Sequence, residues 1–139
     1  MTNRLRIKGE KAYQVVIKEI KSYLSSKFSE NSDVSDEEKR RLLYISAKAG
    51  HKYDQFAYGC FCLYGYGGST NIGHAEYWLN KAANAGNSDA QLTLGECYFD
   101  GHILDRDQEK GRYWLIIAAT NGQENAKKYL EYYETISGD

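Results

Sequence analysis

The chain repeats itself every 36 residues without a gap. Ala47, Ala49 and Gly50 recur as Ala83, Ala85 and Gly86, and Gly59 and Gly65 recur as Gly95 and Gly101. Tyr77-Trp78-Leu79 recurs as Tyr113-Trp114-Leu115, Ala82-Ala83 as Ala118-Ala119, and Gly86, Ala90 and Leu94 as Gly122, Ala126 and Leu130. A fixed period of this size marks a stack of similar supersecondary units, each packed only on its neighbours. Seven of the 13 glycines fall on this lattice, so they punctuate regular structure and do not build catalytic loops. The chain has no proline among its 139 residues. Glycine and asparagine must therefore end the regular elements.

Each unit reads as two helices. In Ser88 to Asp100 the apolar positions Ala90, Leu94, Cys97 and Tyr98 follow the spacing of one helical face, and Tyr113, Trp114, Ile117 and Ala118 do so in Asp107 to Thr120. Asn87 is placed to cap the first helix, Asp105 with Gln108 resembles a capping box for the second, and Gly86 and Gly122 stand where C-terminal glycines belong. The mid-helix glycines Gly59 and Gly95 each cost about 1 kcal/mol of helix propensity, which close helix packing must offset. Ser35-Asp36-Glu37-Glu38 opens a further helix to about Ala49. Before it, Tyr13, Val16, Ile17, Ile20 and Leu24 form a stripe on a helix from about Glu10 to Phe28, followed by a polar loop to Val34. Residues 1–34 thus read as an N-terminal cap and 35–136 as the repeats. Gln123 to Ile136 closes the other end, with Glu131 and Glu134 where the lattice has glycine and tyrosine. The fold expected is a single all-α domain, a right-handed α-solenoid of antiparallel helix hairpins.

The string Ala90-x-x-x-Leu94-Gly95-x-x-Tyr98-x-x-Gly101, with Asp107, Trp114, Ala118-Ala119 and Gly122, resembles the Sel-1-like repeat, a helix-hairpin solenoid related in shape to tetratricopeptide repeats. The resemblance covers roughly residues 36–131. In the preceding unit Asp54 replaces the first alanine, Tyr58 the leucine and Cys62 the tyrosine, and Asn71 stands at the aspartate position. The resemblance implies a scaffold for protein–protein contacts without chemistry of its own. Its members include quality-control adaptors, bacterial signalling and secretion-associated proteins, and immunity partners of bacterial toxins.

Chemical readings fail on their own terms. The segment Gly65 to Gly73 lacks the Gly-Lys-Ser/Thr of a phosphate loop and follows no strand. His51, His74 and His102 have no partner at a metal-motif spacing, and Cys60 has no base and no orienting group. Neither an enzyme nor a cofactor is expected. Eighteen basic and 19 acidic side chains give a net charge of −1, which is not the basic signature of a nucleic-acid binder. The charges are unevenly spread: residues 1–48 hold 11 basic and 7 acidic side chains, residues 49–139 hold 7 and 12. The repeats therefore suit a partner with a basic surface. The basic start lacks an apolar h-region, and the longest apolar run, Tyr113 to Ala119, is too short to span a bilayer. Three cysteines without a pairing pattern fit a reduced, cytoplasmic setting.

In solenoids of the resembled kind the first helix of each hairpin lines the concave face. With Ala90, Leu94 and Tyr98 turned to the second helix, Asp89, Leu92, Glu96, Phe99 and Asp100 fall on another stripe. One repeat back lie Tyr53, Phe56, Cys60, Leu63 and Tyr64, and one forward lie Asn125, Lys128 and Tyr132. This set is the expected protein-binding groove, aromatic at one end and acidic in the middle. The function expected is a small cytoplasmic immunity or inhibitor protein that neutralises a bacterial toxin; the alternative is an adaptor bridging cellular proteins. No contact with nucleic acid or membrane is expected, while self-association through exposed aromatics is open.

Overall fold

The structure, a computed structural model, describes residues 18–28, 33–101 and 103–136. Helix α1 covers residues 18–27. It is followed by α2 (Asp36–Lys48), α3 (Lys52–Tyr64), α4 (Ile72–Asn84), α5 (Ser88–Asp100), α6 (Gln108–Thr120) and α7 (Glu124–Ile136). Among the described residues there is no strand. From α2 on, consecutive helices pack pairwise, and α5 also touches α7. The result is an all-α solenoid in which α3, α5 and α7 form one layer and α2, α4 and α6 the other. The expected helix positions Tyr13, Val16 and Ile17 lie outside the described residues, but Ile20 and Leu24 are buried as the stripe requires.

The helix ends follow from the sequence with one correction. Ser35 Oγ accepts from the Glu38 amide at 3.1 Å, Asn71 Oδ1 from His74 at 3.0 Å and Asn87 Oδ1 from Ala90 at 2.8 Å, each satisfying an amide that the helix itself cannot. The α6 cap is Asp107, which accepts from the Lys110 amide at 3.1 Å, and not Asp105. Asp107 is the repeat equivalent of Asn71, so the lattice decides where that helix begins. Gly86 and Gly122 take φ of +98° and +87° just beyond the ends of α4 and α6, a region that costs glycine nothing.

The mid-helix glycines mark the closest helix approaches. A Cβ on Gly59 would lie 2.9 Å from Leu79 Cγ, and one on Gly95 would lie 2.6 Å from Leu115 Cγ. Glutamines tie the units together inside the core. Gln55 Nε2 donates to the Ala47 carbonyl at 3.1 Å, and Gln91 repeats the bond to Ala83 at 3.0 Å. Gln91 also accepts from Asn121 at 3.0 Å.

The two substitutions that set the first unit apart have partners. Asp54, where the lattice has alanine, is only 1% exposed and accepts from Tyr23 Oη, Lys27 Nζ and Ser46 Oγ. The Tyr23 ring also lies 4.4 Å from Tyr53. Asp54 therefore pins α1 to the start of α3. Tyr58, where the lattice has leucine, bonds His74 Nδ1 through its hydroxyl at 3.1 Å.

Candidate protein-binding surface

The expected groove set divides in two. Phe56, Cys60, Leu63, Leu92 and Phe99 are buried in the core. Tyr53, Tyr64, Asp89, Glu96, Asp100 and Tyr132 are half-buried, and Lys128 is exposed. The five buried members do not line a free groove. The reason is the side-by-side placement of α3, α5 and α7: a stripe at this angle faces the next helix of the same layer. Phe99 stacks on Tyr133 of α7 with ring centres 3.8 Å apart, Tyr133 Oη donates to Asp100 at 2.8 Å, and Gln123 Nε2 donates to Asp89 at 2.8 Å. Leu92 belongs to the same apolar cluster as Tyr129 and Tyr133. What the sequence reads as a groove floor is largely the seam between successive helices, and the aromatic residues there hold the array together.

The charged members that remain accessible along this layer are Asp89, Glu96 and Asp100 of α5 and Lys128 of α7. Burial pushes the Glu96 carboxyl well above its usual range, and the neighbouring Asp100 charge adds to the rise. Asp89 is raised by burial, against the opposing bond from Gln123. Glu19 of α1 is raised by burial and by the charge of Asp89, which places α1 near the start of α5. Carboxylates that desolvate and repel one another gain when a cation approaches. Full burial pushes the Cys60 thiol well above its ordinary value, the environment of a core cysteine.

A carboxylate whose pKa is raised by folding costs stability wherever the unfolded chain would ionise it, and nothing where it is protonated in both states. Glu96→Gln is therefore expected to raise the melting temperature at pH 7. The gain should shrink as pH falls through the raised Glu96 value, and it should vanish near pH 4, where glutamate is protonated in the unfolded chain too. Melts by circular dichroism across this range check it; a gain independent of pH would mean that charge is not the cause.

Among the described residues no three His, Cys, Asp or Glu side chains form a group that could hold a metal ion. A cleft of about 450 Å³ opens between the start of α2 and the loop after α3, lined in part by Arg40, Tyr44, Tyr58 and Gly67. Its Arg40 guanidinium is a structural clamp, donating to the Tyr66 carbonyl at 3.1 Å and reaching Cys62 Sγ at 3.6 Å. No helix of the described residues is long and apolar enough to cross a membrane.

Sequence reasoning missed the large hydrophobic side chains that stay exposed. Tyr77 and Tyr113, read as lattice packing, are each 57% exposed, and Ile45 and Ile116 are 53% and 46% exposed. The signal was present in the paired aromatics. Neighbours on a helix point about 100° apart, so Tyr77-Trp78 and Tyr113-Trp114 cannot both face inward. The tryptophans take the core, at 6% and 7% exposure.

The family model described as Sel1 repeat matches residues 53–87 and 88–123, just over half of the chain. Among curated proteins none matches. Among solved structures, the crystal structure of a Sel1 repeat protein from Oxalobacter formigenes superposes with a TM-score of 0.61 at 34% identity. The match covers 66% of this chain and 26% of that one, so this chain spans about a quarter of the length of its structural neighbour.

Proposed function

Because the chain belongs to the Sel1 repeat family, it is a module for protein–protein interaction, and we propose that it is a non-catalytic inhibitor that covers a basic surface of its partner. In a bacterial cytoplasm that partner is a toxin whose working surface is basic, and the chain is its immunity protein. The observation that carries this reading is the run of desolvated carboxylates at Glu19, Asp89 and Glu96 along the layer of first helices. A basic surface placed against them relieves their mutual repulsion and adds charge-assisted hydrogen bonds. Tyr53, Tyr64 and Tyr132 border the same layer and supply the amphipathic contact area that interfaces favour.

The test is co-expression with the product of the adjacent gene. The expected result is rescue of growth by the chain, and loss of rescue with the double variant Glu96→Gln/Asp100→Asn, which keeps shape and hydrogen-bond capacity while removing two charges. The variant should bind the neighbour at least about tenfold more weakly in calorimetry, the scale of two charged interface contacts. A harmless neighbour, or rescue by the variant equal to that by the natural chain, sinks the proposal. One observation favours the second reading, an adaptor: the other layer carries its own exposed side chains, and a bridging protein needs two surfaces.

A further inference from the structure

Among the described residues all four large hydrophobic side chains that stay exposed, Ile45, Tyr77, Tyr113 and Ile116, lie on α2, α4 and α6. None lies on the layer of α3, α5 and α7. Tyr77 and Tyr113 are repeat equivalents at the middle of their helices, and Ile45 and Ile116 lie about one turn further along theirs. Beside Ile45, the half-buried Tyr44 meets Trp78 edge-on at 6.2 Å, and Tyr77 meets the same Trp78 at 5.1 Å. In the third helix Tyr113 rests on Trp114 in the same way at 5.1 Å. Each tyrosine thus stands on a fixed tryptophan with more than half of its surface open, a rigid apolar anchor that costs little entropy to bury.

The charge around this strip is mainly basic. One turn from the four side chains along their own helices stand Arg41, Lys48, Lys81, Lys110 and Arg112, against one carboxylate, Glu109. Arg41 and Arg112 are paired with Glu38 and Glu134, which leaves the lysines to set the sign. Two of the ammonium groups lie over aromatic rings, Lys48 at 5.1 Å from the centre of Tyr44, beside Ile45, and Lys81 at 5.8 Å from that of Tyr77. On the opposite layer the charged side chains of α5 are all acidic, so the two faces select different partners. Exposed apolar side chains arranged in a row mark a contact surface, and the lysines decide what fits it.

We infer that the exposed face of α2, α4 and α6 is a second docking surface, and that its occupant is a protein segment with apolar side chains flanked by carboxylates. An amphipathic acidic helix matches it: its apolar stripe covers Tyr77, Tyr113 and the isoleucines, and its glutamates reach Lys48 and Lys81. The surface is separate from the layer of α3, α5 and α7 and can fail or hold independently of it.

The test uses a synthetic helical peptide with leucines at i, i+3, i+4 and i+7 and flanking glutamates, and a twin in which every glutamate is lysine. Trp78 and Trp114 are the only two tryptophans in the chain and lie under the strip, so their emission reports occupancy. The glutamate peptide is expected to shift that emission saturably and to bind at least about tenfold more tightly than its twin. Tyr77→Ser/Tyr113→Ser should weaken it by about tenfold or more with an unchanged circular dichroism spectrum, and Lys48→Glu/Lys81→Glu should reverse the preference between the peptides. No saturable shift, equal affinity for both peptides, or unchanged affinity in the serine variant overturns the inference. So does a dimer in sedimentation that the serine variant abolishes, because the occupant would then be a second copy of the chain.

Discussion

Gly111→Ala lowers the stability of the solenoid by about 2–3 kcal/mol, roughly 6–12 °C in melting temperature. The direction is opposite to the usual one, since alanine in a helix is worth about 1 kcal/mol over glycine. Space decides it. A Cβ on Gly111 would stand 2.8 Å from the Phe99 amide nitrogen and 2.9 Å from the Gly95 carbonyl oxygen, both backbone atoms of α5. No side chain can swing aside, so the two helices would have to separate and loosen Leu115, which is fully buried between them. Gly73→Ala gives the internal control. Gly73 is exposed in the first turn of α4, and its nearest neighbour would be Asn71 Oδ1 at 3.7 Å. That variant is expected to gain a few tenths to about 1 kcal/mol. Denaturant melts of both decide the matter: two stabilised variants would mean that α5 and α6 are not held at backbone contact.

Lys27→Met costs about 2–3 kcal/mol, yet Lys27→Met combined with Asp54→Ala comes within about 1 kcal/mol of the natural chain. Lys27 is one-third exposed, which keeps the figure below that of a fully buried pair. Removing the lysine alone leaves the Asp54 carboxylate in the core with only the hydroxyls of Tyr23 and Ser46. Removing the carboxylate as well restores the alanine that the lattice has at this position and leaves no buried charge. Burial alone would push Asp54 up, but the bonds from Lys27, Ser46 and Tyr23 outweigh it and hold the carboxyl below its ordinary value of 3.8. Its stabilising contribution is therefore complete above the unfolded value and is lost as pH falls through the lowered one. A double-mutant cycle at pH 7 and at low pH tests this. Equal costs for the single and the double variant at pH 7 would show that charge pairing does not hold α1.

The repeat made the helices legible because one constraint was written three times. Gly95, Leu94 and Tyr98 mean little alone, but their recurrence fixes which face of each helix turns to its hairpin partner. The lattice could not tell a seam from a groove. Both are stripes at the same spacing, and only the lateral distance between α3, α5 and α7 turns Phe56 and Leu92 inward. Asp54 was legible as a departure and not as a latch, because its donors Tyr23 and Lys27 come from a helix outside the repeat. Tyr77 and Tyr113 were misplaced for a simpler reason: recurrence was taken as packing, although a surface row recurs as faithfully as a core.

The helices of the array are fastened to their neighbours by different means. Gln55 and Gln91 each fasten their helix to the last carbonyls of the second helix before them, and the equivalent position in α7 is the exposed Lys127. The first helix, in contrast, is fastened by a buried charge. At α7 the fastening is the Phe99–Tyr133 stack together with the Tyr133–Asp100 and Gln123–Asp89 bonds. In a stack where each unit is supported by the next, losing α7 uncovers Leu92 and Phe99, so a pull that takes α7, as by an unfoldase or a translocation pore, also loosens α5.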